Sequence, residues 1–208
     1  IAPSDWSSDV CSSDLLAAAG IKVGAGGQIR VDKHQRTSQP HIWALGDVSS
    51  DWLLKHVANA EARTVAANLL IDGGELVDTD HRYVPHAVFT EPQIAAVGAT
   101  EEQLQEWGTP YVEFKQHYAD VAFGWALEDE GHFVKLLADP RTWHLLGAHI
   151  IGPQAATLIQ PMIQAMSFGQ TVQELARGQY WIHPALTEVL ENALLGLLKA
   201  PRPKELDA

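Results

Sequence analysis

The stretch YVPHAVFTEPQIAAVG (residues 83–98) runs directly into ATEEQLQEWG (residues 99–108). The first part has the β-branched and aromatic content of strands, with prolines at its turns. The second reads as a short helix, with Thr100 as its cap and Gly108 as its stop. Three more runs follow: YVEFKQHYADV, HFVKLLADP and HLLGAHIIG, starting at Tyr111, His132 and His144. They alternate around turns at Gly131 and Asp139–Pro140 and read as strands. Beyond them, residues 154–169 carry an apolar helical period with Pro161 as a kink, and Gln173–Arg177 lead into YWIHPALTEVLENALLGLL at residues 180–198. Strands first and helices afterwards define an α+β unit, an antiparallel sheet with helices packed on one face.

Upstream the texture differs. IDGGELVDTDHR (residues 71–82) is polar, acidic and glycine-containing, which suits a linker. Before it, LLKHVANAEARTVAANLL (residues 53–70) has helical spacing, and HIWALGDVSS (residues 41–50) reads as an apolar strand ending in Gly-Asp. A strand that delivers Gly-Asp to the base of a helix suits a ligand, because glycine allows close backbone approach and the carboxylate accepts hydrogen bonds from hydroxyls. Gly-Asp is also a common turn pair. IKVGAGGQIRVD (residues 21–32) reads as two short strands about a glycine turn. Its GAGG is not a phosphate loop, because Ile29 stands where GxGxxG needs its third glycine and no helix follows.

The first residues are of another kind. SDWSSDVCSSDL (residues 4–15) has no strand or helix period, and Asp5–Leu15 back-translate to a short-read sequencing adapter read in frame. Residues 1–19 are therefore expected to be a non-native leader, with Cys11 part of it and the natural upstream sequence missing. The expected organisation is then residues 20–75 as one unit, 80–200 as a second, and 201–208 as a tail.

Composition narrows the function. The chain has 208 residues, 46% hydrophobic and 19% charged, enough for a packed core. Its net charge of −12, from 26 acidic residues against 14 Lys and Arg, disfavours nucleic acid and anionic membranes as partners. No apolar run has the length of a membrane span, and no secretory signal is present, so a soluble, cytoplasmic location is expected. With a single cysteine and no HExxH pattern, no metal site is expected.

HPALTEVLE supplies the candidate chemistry. Pro184 suits the first turn of a helix, which puts His183 at its entrance and Glu188 one turn in. A carboxylate there can hold one imidazole nitrogen and leave the other outward, the arrangement a proton-transfer catalyst needs near neutral pH. The residues alone favour a histidine that only caps the helix, with Glu188 and Glu191 on a solvated face, because so short a pattern matches by chance.

Three separate stretches agree on a family. ALGDV (Ala44–Val48) with its following helix resembles the second FAD-binding motif of the pyridine nucleotide–disulfide oxidoreductases. VFTEPQIAAVG (Val88–Gly98) is similar to the opening of their dimerisation domain, and HPALTE (His183–Glu188) to their HPxxxE active-site motif. The three occur in the family's order across residues 20 to about 200. The resemblance implies the tail piece of an FAD-binding domain followed by a C-terminal dimerisation domain. It implies FAD as cofactor, NADPH as electron donor, a low-molecular-weight disulfide as substrate and a homodimer. It further implies that Asp47 hydrogen-bonds the flavin's ribityl chain, that Gly46 gives close approach, and that the helix start at Lys55, His56 and Val57 faces the flavin's pyrimidine oxygen. His183 is implied as general acid–base, Glu188 as its orienting partner, serving the partner subunit's flavin and disulfide. The bond between His183 and Pro184 is implied to be cis. The family's GxGxxG, its CxxxxC pair and its NAD(P) domain belong upstream of residue 20, so the chain alone is expected to be inactive.

Overall fold

A computed structural model describes residues 13–202, and the chain divides into two compact units, residues 1–81 and 82–208. Cys11 and most of the adapter-like leader lie outside the described residues, as do residues 203–208 of the expected tail. Helix α1 spans Ser13–Ala18.

In the first unit the expected pair of strands over residues 21–32 shrinks to a single bridge, Val23 with Ile29, and a second bridge joins Arg36 to Trp43. The glycine turn is still a hairpin: the Gly24 amide donates to Gln28 (2.7 Å) and the Arg30 amide to Lys22 (3.0 Å). HIWALGDVSS is not a strand; only Trp43 bridges, and Gly46–Val48 form a 3-10 turn. The reason lies fifteen residues further along the chain. The Gly46 amide donates to the Glu61 carboxylate (2.6 Å), so the backbone there bonds a side chain rather than a neighbouring strand. Helix α2, Lys55–Leu70, forms where the spacing predicts it and buries Val57, Glu61, Thr64, Val65 and Asn68. The Asn68 side chain accepts from the Val77 amide (2.7 Å) and donates to the Val77 carbonyl (2.9 Å). Gln35 donates to the Thr79 hydroxyl (3.1 Å), so the stretch expected to link the units is bound to the first.

The second unit is built on a five-stranded, wholly antiparallel sheet, β1 His86–Val88, β2 Ile94–Gly98, β3 Val112–His117, β4 Phe133–Ala138 and β5 Leu145–Ile151, in the order β1-β2-β5-β4-β3. Helix α3, Glu101–Glu106, follows β2, and its cap is reciprocal: Thr100 accepts from the Gln103 amide while the Gln103 side chain accepts from the Thr100 amide. The run expected as a strand from Tyr111 ends in a 3-10 turn, Tyr118–Asp120, and a short helix α4, Ala122–Ala126, follows it. The long helix expected over residues 154–169 is two helices, α5 Ala155–Leu158 and α6 Gln160–Phe168. Pro161 sits in the first turn of α6, where its missing amide costs nothing, so the proline starts a helix instead of kinking one. Helices α7, Val172–Arg177, and α8, Glu188–Leu197, are the last among the described residues.

One face of the sheet carries the core. Val134, Leu136, Ala148 and Ile150 meet Met162 and Met166 of α6, Leu175 of α7, and Val189, Leu190, Ala193, Leu194 and Leu197 of α8, all at most 5% exposed. Strand alternation sends Lys115, Lys135, His149 and His86 to the opposite face as one cross-strand row. Helix α3 reaches that second face, where Glu101 pairs with Lys135, so the helices are not confined to one face. The hydrogen bond from the Lys135 ammonium holds the Glu101 carboxyl below the usual carboxylate range.

Gly98 ends β2 with φ +79°. A Cβ at that position would collide with the Leu146 carbonyl oxygen and the Met166 terminal methyl. Gly98→Ala therefore combines a left-handed backbone with a backbone collision, and it is expected to cost at least about 1–3 kcal/mol. A denaturant titration in which Gly98→Ala matches the parent chain would contradict this.

Candidate active site

Helix α8 is where the second unit turns from packing to chemistry. Its buried stripe anchors it to the sheet, and Glu188 is its first residue. The turn Ala185–Thr187 precedes the α-helix instead of forming its first turn, because the amides of Glu188, Val189 and Leu190 donate three residues back, to Ala185, Leu186 and Thr187. Glu188 thus stands at the helix start, not one turn in, where the dipole favours a negative charge. The His183–Pro184 bond is cis, as is Glu91–Pro92.

The His183 Nδ1–H donates to Glu188 Oε1 at 2.7 Å. The other carboxylate oxygen, Oε2, accepts from the Ala185 amide at 3.3 Å. Glu188 is thereby held at both oxygens, with its side chain 17% exposed while that of His183 is 69% exposed. A carboxylate can only accept, so this contact fixes the proton on Nδ1 and leaves the Nε2 lone pair outward. Among the described residues Nε2 has no partner. The carboxylate that pairs with His183 is Glu188 and not Glu191, which stands one turn further along α8.

The first unit holds the other group of candidates. Gly46 is buried with φ +70°, and a Cβ there would lie 3.2 Å from the Ala58 methyl. Asp47 is exposed beside it. At the start of α2, Lys55 and His56 are exposed and Val57 is 4% exposed. The first intrahelical bond runs from Ala58 to Leu54 (3.0 Å), so the amides of Lys55, His56 and Val57 precede the ladder, and Leu54 offers no capping side chain. A side-chain-free glycine, an exposed carboxylate and a helix N-terminus fit a ligand bearing hydroxyls and a polarised carbonyl oxygen, which is the chemistry of the flavin and its ribityl chain.

Glu61 and His81 are absent from the sequence-based candidates. Glu61 is 1% exposed, accepts the Gly46 amide at Oε2 and meets His81 Nε2 at Oε1 (2.9 Å). The signal was present in the spacing, since Glu61 stands four residues after Val57 on the inward face of α2. Among the described residues no group of three His, Cys, Asp or Glu is placed to hold a metal ion, and no helix is long and apolar enough to cross a membrane.

Comparison with known proteins places this architecture in a class of redox flavoproteins. The family model described as pyridine nucleotide-disulphide oxidoreductase, dimerisation domain, matches residues 84–194, and that described as pyridine nucleotide-disulphide oxidoreductase matches residues 10–64. The chain belongs to the pyridine nucleotide-disulphide oxidoreductase family, whose members use FAD and NAD(P)H. It is 59% identical over 193 residues to the mycothione reductase of Mycobacterium tuberculosis, covering 90% of this chain and 42% of that protein. Against the dihydrolipoyl dehydrogenase of Mycobacterium bovis it is 36% identical over 183 residues, covering 88% of this chain and 39% of that protein. Among solved structures, LpdA of Mycobacterium tuberculosis superposes with a TM-score of 0.81 at 28% identity, over 89% of this chain and 40% of that one. The HOCl-induced flavoprotein disulfide reductase of Escherichia coli superposes at 0.79 and 29% identity, over 86% and 41%. The chain thus spans about two fifths of the length of the curated relatives it matches.

Proposed function

We propose that this chain is the C-terminal part of a flavoprotein disulfide reductase which, in full length, reduces mycothiol disulfide with NADPH through FAD and a redox cysteine pair. The observation that carries the chemistry is the 2.7 Å contact between His183 and Glu188, which leaves Nε2 outward. The choice of substrate rests on identity: 59% to a mycothione reductase against 36% to a dihydrolipoyl dehydrogenase. Stretches such as LLKHVANAEAR and ARGQYWIHPAL carry that likeness.

Within this proposal FAD, when bound, passes reducing equivalents from NADPH to the cysteine pair. Gly46 and Asp47 would hold its hydroxylated chain, and the free amides at the start of α2, at Lys55, His56 and Val57, would favour its polarised carbonyl oxygen. His183 acts in the disulfide half-reaction. As the interchange thiolate attacks the substrate disulfide, one S–S bond breaks and a mixed disulfide forms. Nε2 takes the interchange thiol's proton as that thiolate forms, and the imidazolium so made gives it to the leaving thiolate. The second cysteine then attacks the mixed disulfide, re-forms the cysteine disulfide and releases the other substrate thiolate, which receives the second cysteine's proton by the same relay. Glu188 keeps the ring in the tautomer that can do this and stabilises it when protonated. The HPxxxE pair acts on the partner subunit's flavin and disulfide, which makes the dimerisation domain part of the site. A cytoplasmic homodimer is the corresponding setting, with no nucleic acid or membrane partner.

The test is steady-state turnover of the complete flavoprotein with NADPH and either mycothiol disulfide or lipoamide. Turnover with mycothiol disulfide at a kcat/KM at least about tenfold higher is the expected outcome, since substrates matched by several polar contacts differ by more than one hydrogen bond. The reverse preference would mark a dihydrolipoamide dehydrogenase. Turnover of neither but of Hg(II) would mark a mercuric-reductase-like enzyme, and turnover of none of the three, in a protein that still dimerises, a non-catalytic dimerisation module.

A further inference from the structure

We infer that Glu61 is a positioning residue for the flavin-facing turn, fixing Gly46 and Asp47 against the start of α2; the inference rests on the flavin contacts proposed above. Two donors converge on one buried carboxylate. The Gly46 amide reaches Oε2 at 2.6 Å and His81 Nε2 reaches Oε1 at 2.9 Å, while Glu61 itself is 1% exposed. A carboxylate only accepts, so a single side chain satisfies both donors. A carboxylate buried to this degree is costly unless paired, and the His81 imidazole supplies that pairing. Glu61 stands on α2, six residues after its first residue Lys55, and Gly46 immediately precedes Asp47. The hydrogen bond therefore locks the turn to the helix, and the Gly46–Ala58 approach closes the same joint from the other side. The carboxylate at residue 47 and the helix amides at residues 55–57 then meet a ligand as one rigid body, without an ordering cost at binding.

The joint is tested first in this chain, by amide hydrogen exchange and the amide spectrum of Gly46. Glu61→Ala removes both acceptors and is expected to lower Gly46 protection at least about tenfold, as an unmet buried amide would. Val134 and Ile150, in the sheet of the second unit, should keep theirs. Glu61→Gln returns one acceptor, so it should restore most of the protection while moving the Gly46 amide proton upfield, because a charge-assisted bond becomes a neutral one. Gly46 protection unchanged in Glu61→Ala, or an amide proton unmoved in Glu61→Gln, would overturn the inference. A loss shared equally by Val134 and Ile150 would do so as well, because Glu61 would then support the fold in general.

The second test is the FAD dissociation constant of the complete flavoprotein. It is expected to rise at least about tenfold in Glu61→Ala, less in Glu61→Gln, and clearly in Asp47→Ala. If Asp47→Ala weakens FAD and Glu61→Ala does not, the positioning role falls and the flavin contacts stand. If neither weakens it, the flavin contacts fall and this inference with them.

Discussion

His183→Ala in the complete flavoprotein is expected to slow the disulfide half-reaction by about a hundred- to ten-thousand-fold, the span of a positioned general acid–base. Reduction of the flavin by the nicotinamide should stay nearly intact. The asymmetry follows from geometry: Nδ1 is committed to Glu188 at 2.7 Å, and only Nε2 of a 69% exposed side chain can reach a reacting sulfur. Stopped-flow measurement of each half-reaction separates the two. Equal losses in both would mean that His183 supports the whole site and does not carry a proton in one step. Glu188 also accepts from Ala185, so Glu188→Ala would unfasten the turn as well as the ring, and the cleaner test is His183 itself.

The largest effect on stability is expected at the helix that carries this pair. Leu194 of α8 is fully buried in the cluster that joins α8 to the sheet. Leu194→Ala removes three heavy atoms from a close-packed site and is expected to cost about 2–5 kcal/mol, the range for buried leucines that leave a cavity. Chemical denaturation of the second unit measures this. A loss under about 1 kcal/mol would mean that the cluster collapses around the gap, and that α8 is held by fewer contacts than its buried face implies.

These expectations draw on features of unequal legibility in the sequence. The sheet of the second unit was readable because β3, β4 and β5 alternate and are bounded by turn residues, and α2 because its inward positions recur at helical spacing. The HPxxxE and Gly-Asp stretches were readable as motifs, and the structure brings His183 and Glu188 into direct contact. What escaped was set partly by contacts distant in the chain and partly by where a helix begins. HIWALGDVSS has strand composition, yet its Gly46 amide is taken by Glu61 fifteen residues away. Residues 154–169 have one helical period, yet Pro161 begins a second helix within it. The Glu61–His81 pair escaped for a related reason. A carboxylate on the inward helix face is visible in the spacing, but the histidine that meets it lies twenty residues on.

The most direct test of the central proposal is to sequence the source DNA across the codons upstream of Gly20. An open reading frame that continues upstream and encodes both CxxxxC and GxGxxG is the expected result, supplying the thiolate and flavin chemistry that His183 can only assist. A frame that begins at a start codon just before Ile1, with Asp5–Leu15 encoded and neither motif present, would contradict it.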